Sequence, residues 1–257
     1  MRIFYPLLFA LQFLTRLPVR LSHLPDNKII GRSLMYYPLV GLLIGSCLSA
    51  LHYGLLSIAA PNILRAAIEV TCWVLITGAL HLDGLADMVD AWAGGRGNRQ
   101  RTLDIMKDPT SGPMGVSALM LILLLKFSVL NNIFYSQWYI LLLTPFVARC
   151  ALVWLFVSMP YVRRGGLGEA LSRHAPKRSA KVLAFICVAG ALALFKIPAA
   201  LLLASTLLVY AIFSYTLRSR IGGTTGDTAG ALVEIVETVA LVVATLALPI
   251  INRSLSL

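Results

Sequence analysis

Long apolar runs separated by short polar gaps dominate this 257-residue chain. A helix needs about 20 mainly apolar residues to cross a bilayer. Runs of that kind lie at roughly 34–59, 64–82, 114–134, 138–159, 182–217 and 230–251. The run 182–217 is long enough for two crossings, and Lys196-Ile197-Pro198 in its middle predicts a tight turn. The pattern therefore predicts an all-α, polytopic integral membrane bundle of about seven transmembrane helices, organised as one domain over 1–257. Residues 3–19 predict a further short helix, interfacial or re-entrant. Thr15-Arg16-Leu17-Pro18 does not have the form of a signal cleavage site, so this segment is expected to stay.

Composition agrees with the pattern. Hydrophobic residues make up 58% of the chain and charged residues 13%, against about 25% charged in soluble domains. The formal charge of +11 does not point to nucleic acid, because no nucleic-acid-binding module or aromatic motif accompanies it. The basic residues instead fall in the gaps. Gaps 20–33, 83–112, 161–181 and 218–229 hold 15 of the 22 lysines and arginines, and the alternate gaps hold Arg65, Lys196 and Arg253. Seven crossings put all four rich gaps on one side, which the positive-inside rule makes cytoplasmic. Cys47, Cys72, Cys150 and Cys187 are isolated in apolar runs, as buried apolar residues rather than a disulfide or zinc framework.

The acidic residues change the picture most. Eight of the eleven lie in two patches on the basic side. In HLDGLADMVDAWAGG, residues 81–95, Asp83, Asp87 and Asp90 stand at i, i+4 and i+7. If the second span continues as a helix through residue 90, they share one face. Three carboxylates in one stripe repel, and a divalent cation removes that cost; Mg²⁺ suits carboxylate oxygens and completes its shell with water and substrate phosphates. The plain alternative is a solvated helix end. His81 precedes the trio as a ligand, a base or an interfacial histidine; His52 has no suggestive company.

RTLDIMKDPTSGPMGV, residues 101–116, adds Asp104 and Asp108, then a small-residue loop. Backbone N–H groups near Gly112 and Gly115, at the start of the third span, are an expected phosphate nest; an ordinary turn is the alternative. Arg96, Arg101 and Lys107 are candidate phosphate clamps. In IGGTTGDTAGALVEIVE, residues 221–237, Gly222, Gly223, Gly226 and Gly230 surround Asp227, ahead of Glu234 and Glu237 at i, i+3 in the last span. Intramembrane carboxylates are expensive and usually functional. Lys126 and Arg149, also inside spans, are expected to pair with Glu234, Glu237 or Glu69, either structurally or to hold substrate phosphates.

Together these segments resemble the cobalamin-5′-phosphate synthase family. FLTRLPV at 13–19, YPLVGLLIG at 37–45, GALHLDGLAD at 78–87 with Asp90, IMKD at 105–108 with Gly112 and Gly115, and GGTTGDTAGA at 222–231 with Glu234 and Glu237 carry the likeness in order along nearly the whole chain. The chain departs from the family's usual residues at Ala91, Pro109 and Pro113. The resemblance implies a Mg²⁺-dependent enzyme of the cytoplasmic (inner) membrane, with its active site on the cytoplasmic side. It would join adenosylcobinamide-GDP to α-ribazole or its 5′-phosphate and release GMP. Asp83, Asp87 and Asp90 would hold the metal, with Asp108 and Asp227 as further catalytic carboxylates. His81, Gly84, Arg101, Lys107, Gly112, Gly115, Lys126, Arg149, Gly222, Gly223, Gly226, Glu234 and Glu237 would contact substrate. A homo-oligomer or a complex with other cobalamin-assembly enzymes stays open. A CDP-alcohol phosphotransferase and a transporter are the competing classes. The first would need Arg after Ala86, where Asp87 stands; the second predicts carboxylates at mid-bilayer, and most here lie at span ends.

Overall fold

A computed structural model describes residues 4–255 apart from 22, 24 and 164; Arg164, counted above among the basic residues, lies outside the described residues. The helices are α1 (Tyr5–Leu14), α2 (Asn27–Ser33), α3 (Tyr37–Ser57), α4 (Asn62–Thr77), α5 (Leu80–Gly95), α6 (Arg99–Ile105), α7 (Pro113–Leu130), α8 (Trp138–Ser158), α9 (Leu167–His174), α10 (Lys177–Arg220) and α11 (Gly226–Leu255). Among the described residues, five helices are long and apolar enough to cross a membrane, or six if α4 and α5 count as one bent span. Nearly every side chain of α8 is buried, and α3, α10 and α11 pack around it.

Helix α10 is interrupted at Lys196, whose φ of 42° and ψ of −115° lie outside any helix. Its two limbs reverse there. Lys181 sits over the Trp154 ring at 5.5 Å, and Tyr210 shares a hydrogen bond with Ser158 at 2.6 Å, so both limbs reach the same end of α8. In one straight helix Lys181 and Tyr210 would stand roughly 44 Å apart. Phe195, beside the turn, packs on Trp138 at the other end. Counting the limbs separately raises six spans to seven.

The second span does not run on into the acidic segment as expected. Gly78 and Ala79 both take left-handed backbone, and α5 leaves α4 at 88°. Glycine adopts that conformation without penalty, but Ala79 does not, and the neighbourhood holds it. The Arg16 N–H donates to the Ile76 carbonyl at 2.7 Å. The Arg16 side chain also fills the space where a Cβ on Gly78 would go. The FLTRLPV segment thus braces the bend, and α1 packs on α2 and α3 with Ala10 and Leu14 fully buried.

The four basic gaps meet at one end of the bundle. Gly31 of α2 lies against the His174 backbone of α9. Tyr161 and Thr224 form an isolated bridge. Thr225 Oγ1 approaches Met106 Sδ at 3.8 Å. At the opposite end Arg65 is buried, not a loop charge; it donates to the Ile133 carbonyl at 3.0 Å and to Asn62 Oδ1 at 2.8 Å. His52, expected to be alone, bonds Glu69 at 2.8 Å. Glu69 is therefore occupied by His52 and Arg65 and is not the partner of Lys126 or Arg149. All four cysteines are free.

Candidate active site

The bend gives Asp83 a position that a continuous helix would not. It falls in the first turn of α5, where the helix dipole favours a carboxylate, rather than near the end of α4, where it would not. The last span likewise begins earlier than expected, at Gly226. Thr225 Oγ1 accepts from the Thr228 N–H at 3.2 Å, and Thr228 Oγ1 accepts from the Thr225 N–H at 2.9 Å. This reciprocal cap satisfies two backbone donors and fixes Asp227 in the first turn of α11.

Helices α5 and α11 cross where neither has bulk. A Cβ on Gly84 would come within 2.7 Å of the Asp227 carbonyl, and one on Gly230 within 3.3 Å of His81 Cα. Gly84→Ala is therefore expected to wedge the two first turns apart. The cost should be about 1–3 kcal/mol in stability, read as a lower unfolding midpoint in detergent, with activity falling further than stability because Asp83 and Asp227 separate.

His81, Asp83, Gly84, Gly226 and Asp227 line one cavity of about 150 Å³. Asp87 lies within electrostatic reach of Asp83, Asp227, Asp90 and Arg163. The Arg163 Nη1 donates to Asp227 Oδ2 at 3.0 Å. Asp87 and Asp227 thus both lie near the Arg163 guanidinium, with Asp83 close to them. Burial raises the Tyr161 phenol above the usual range, with the Asp227 charge adding to that. Arg163 and Tyr161 were not legible as site residues: in sequence they are a basic and an aromatic residue in a loop whose charge topology already explains.

Asp90 is engaged differently from its two neighbours. Its Oδ2 accepts from the Gly112 N–H at 2.7 Å and its Oδ1 from the Gly115 N–H at 2.8 Å. The expected phosphate nest at the start of α7 is therefore filled by a side chain of the protein itself, which ties α7 to α5. Among the described residues no group of three or more His, Cys, Asp or Glu side chains forms a ready-made metal cage. Mg²⁺ does not require one, since one or two carboxylates plus water and substrate phosphates suffice. Asp83 and Asp87, with Asp227 beside them, would be the donor set for such an ion.

Lys126, Arg149, Glu234 and Glu237 come together deeper in the bundle, all buried. The Lys126 Nζ donates to Glu234 Oε2 and Glu237 Oε2, each at 2.7 Å, and the Arg149 Nη1 donates to Glu237 Oε1. Lys126 also lies over the Trp73 ring at 4.5 Å. Two cations balance two anions.

The remaining candidates stand apart. Arg101 is exposed on α6, and exposed Lys107 pairs with Asp104 at 3.6 Å. Asp108 is exposed; the hydroxyl and backbone N–H of Thr110 hold its carboxyl below the usual range. Gly222 takes a φ of +75° in the turn before α11, and Gly223 lies against the Pro160 carbonyl.

Fold and site define a polytopic helical membrane protein with an acid-rimmed cavity at its basic end. The family described as Cobalamin-5-phosphate synthase matches residues 6–245. The Adenosylcobinamide-GDP ribazoletransferase of Pseudomonas aeruginosa strain PAO1 is 51% identical over 237 residues, covering 92% of this chain and 96% of that one. Those of Pseudomonas fluorescens strain Pf0-1 (47% identical, covering 92% and 97%) and Pseudomonas putida strain F1 (50%, covering 90% and 95%) are similar over the same extent. No solved structure matches the chain. The chain belongs to the cobalamin-5-phosphate synthase family and is an enzyme of cobalamin assembly.

Proposed function

We propose that the chain transfers the adenosylcobinamide-phosphate group from adenosylcobinamide-GDP to α-ribazole or its 5′-phosphate. The product is adenosylcobalamin or its 5′-phosphate, and GMP leaves. The reading is supported by the placement of the family's most specific segment, GALHLDGLAD, with Asp227 of the glycine-rich segment around one cavity. In this reaction the ribazole 3′-oxygen forms a bond to the phosphorus nearest the cobinamide, and the bond from that phosphorus to the GMP oxygen breaks. Such transfers gain chiefly from positioning and charge neutralisation.

Asp227, oriented by Arg163, takes the hydroxyl proton. Arg163, partly exposed beside Asp227, also faces the incoming diphosphate. Asp83 and Asp87 would hold Mg²⁺, which would supply neutralisation of charge on the diphosphate and the departing GMP. Asp90 holds the Gly112–Gly115 loop against α5. The site works at the cytoplasmic face of the inner membrane, where the basic gaps gather and both water-soluble nucleotides are at hand.

Purified protein in lipid vesicles, given adenosylcobinamide-GDP and α-ribazole, is expected to release GMP in step with cobalamin formation. EDTA should stop this and added Mg²⁺ restore it. No GMP from both substrates together would overturn the transfer, and full activity in excess EDTA would overturn the metal.

A further inference from the structure

We infer that the groove between the two limbs of α10 and the face of α8 holds one acyl chain of an anionic phospholipid, with the Lys181 ammonium on its headgroup phosphate.

The groove has about 490 Å³. It lies on the outside of the bundle, and Phe185 and Leu207 in its lining are both exposed. Alanines at 151, 184, 200 and 204 leave it open. Trp154 is the one exposed side chain of α8, because the limbs part over it.

The polar groups collect at one end. Lys181 lies over the Trp154 ring at 5.5 Å, and the Tyr210 hydroxyl shares its hydrogen bond with Ser158 at 2.6 Å. That is the basic end of the bundle, and tryptophan and tyrosine sit at headgroup depth in membrane proteins. Thr206, the other hydroxyl in the lining, donates to the Leu202 carbonyl of its own helix at 2.7 Å. Among the described residues no carboxylate pairs with Lys181; Glu169, the nearest in sequence, is taken by Arg173 at 2.8 Å. Arg178, one turn earlier, lines a separate recess beside Met35. The groove is therefore apolar along its length, with one uncompensated cation at the headgroup end.

A helix of another protein fits this space less well. A transmembrane helix is about 10–12 Å across, so one 5.4 Å turn of it takes about 420–610 Å³ and would fill the groove. It would also cover the Lys181 charge without a partner, which is costly. An acyl chain is a narrower thread and reaches along the groove. Apolarity alone does not hold it there, since the surrounding lipid is as apolar as leucine. The headgroup charge selects the occupant, by about fivefold for one lysine near the surface. A zwitterionic lipid carries its own cation beside the phosphate and gains less. Seated there, the anionic lipid fills the gap between the limbs and holds them on α8.

Tryptophan fluorescence of the whole chain tests this in vesicles of equal phosphatidylglycerol and phosphatidylcholine, with one lipid or the other brominated on its acyl chains. Bromine quenches at contact range, and the quenching missing from Trp154→Phe belongs to Trp154. That share should be about fivefold larger with brominated phosphatidylglycerol than with brominated phosphatidylcholine. Lys181→Gln should bring the two within about twofold. Ala204→Phe fills the groove, keeps the lysine, and should lower the quenching of Trp154 by both lipids. All three substituted positions are exposed, so the fold should stand. Equal quenching by the two lipids in the unaltered protein would overturn the inference, as would a preference that survives Lys181→Gln. Unchanged quenching in Ala204→Phe would place the lipid outside the groove, and quenching of Trp154 by neither lipid would give the groove to a protein segment.

Discussion

Glu237→Ala is expected to destabilise the folded protein by about 3–5 kcal/mol, the cost of removing one partner from a buried ion pair. Glu237 accepts from both Lys126 and Arg149, and all four members of the set are buried among spans. Its removal leaves two cations facing Glu234 alone, in a region where water cannot reach the unpaired charge. Arg149 is the more exposed to this loss, because its Nε and Nη2 already lack partners. The midpoint of unfolding in detergent, followed by circular dichroism or by SDS titration, reads the effect. Lys126→Met combined with Glu234→Leu is the informative contrast. It removes a cation and an anion together, leaves Arg149 with Glu237, and is expected to cost far less, because a neutralised pair replaced by apolar groups is often tolerated. If Glu237→Ala unfolds at the same midpoint as the unaltered chain, the set is hydrated and does not hold α7, α8 and α11 together.

Much of this arrangement is written in the sequence, and its limits are physical. Span positions follow from hydropathy because the bilayer forces each crossing to satisfy its own backbone. The gathering of 20–33, 83–112, 161–181 and 218–229 at one end follows from the distribution of basic residues. The pairing of Lys126 and Arg149 with Glu234 and Glu237 follows because buried charge must be neutralised, although Glu69, early in its span, was a third and weaker candidate by that criterion. His52 removes it, and a lone histidine 17 residues away carries no sign of that.

The bend at Gly78-Ala79 left no trace in hydropathy, since glycine and alanine sit unremarked in an apolar run. What enforces it is Arg16, more than 60 residues earlier. The same distance hides the work of Asp90, whose two backbone partners lie 22 and 25 residues downstream. Spacing at i, i+4 and i+7 correctly puts Asp83, Asp87 and Asp90 on one helix. It does not tell a carboxylate open at a cavity mouth from one spent on capping a neighbouring helix.

That distinction makes Asp83 the position where a single atom change should matter most for turnover. Asp83→Asn is expected to lower kcat by at least about 10²–10³-fold, the scale of losing a preorganised electrostatic contact to the reacting group, with a midpoint of unfolding close to that of the unaltered chain. The fold should tolerate it because Asp83 is exposed at the rim of the cavity and an asparagine has the same shape. The proposed chemistry should not, because an amide offers one neutral oxygen in place of the carboxylate that would hold the metal. Raising Mg²⁺ should recover part of the loss, since Asp87 remains to hold the ion more weakly. The same substitution at Asp90 separates the two roles. Asp90→Asn keeps one acceptor for Gly112 or Gly115 and lacks the other, so it should shift stability and kcat together. GMP release measured across a Mg²⁺ series, beside thermal unfolding of each variant, distinguishes them. Normal turnover by Asp83→Asn at ordinary Mg²⁺ would remove the carboxylate from the reaction, and the shared cavity with Asp227 would then need another purpose.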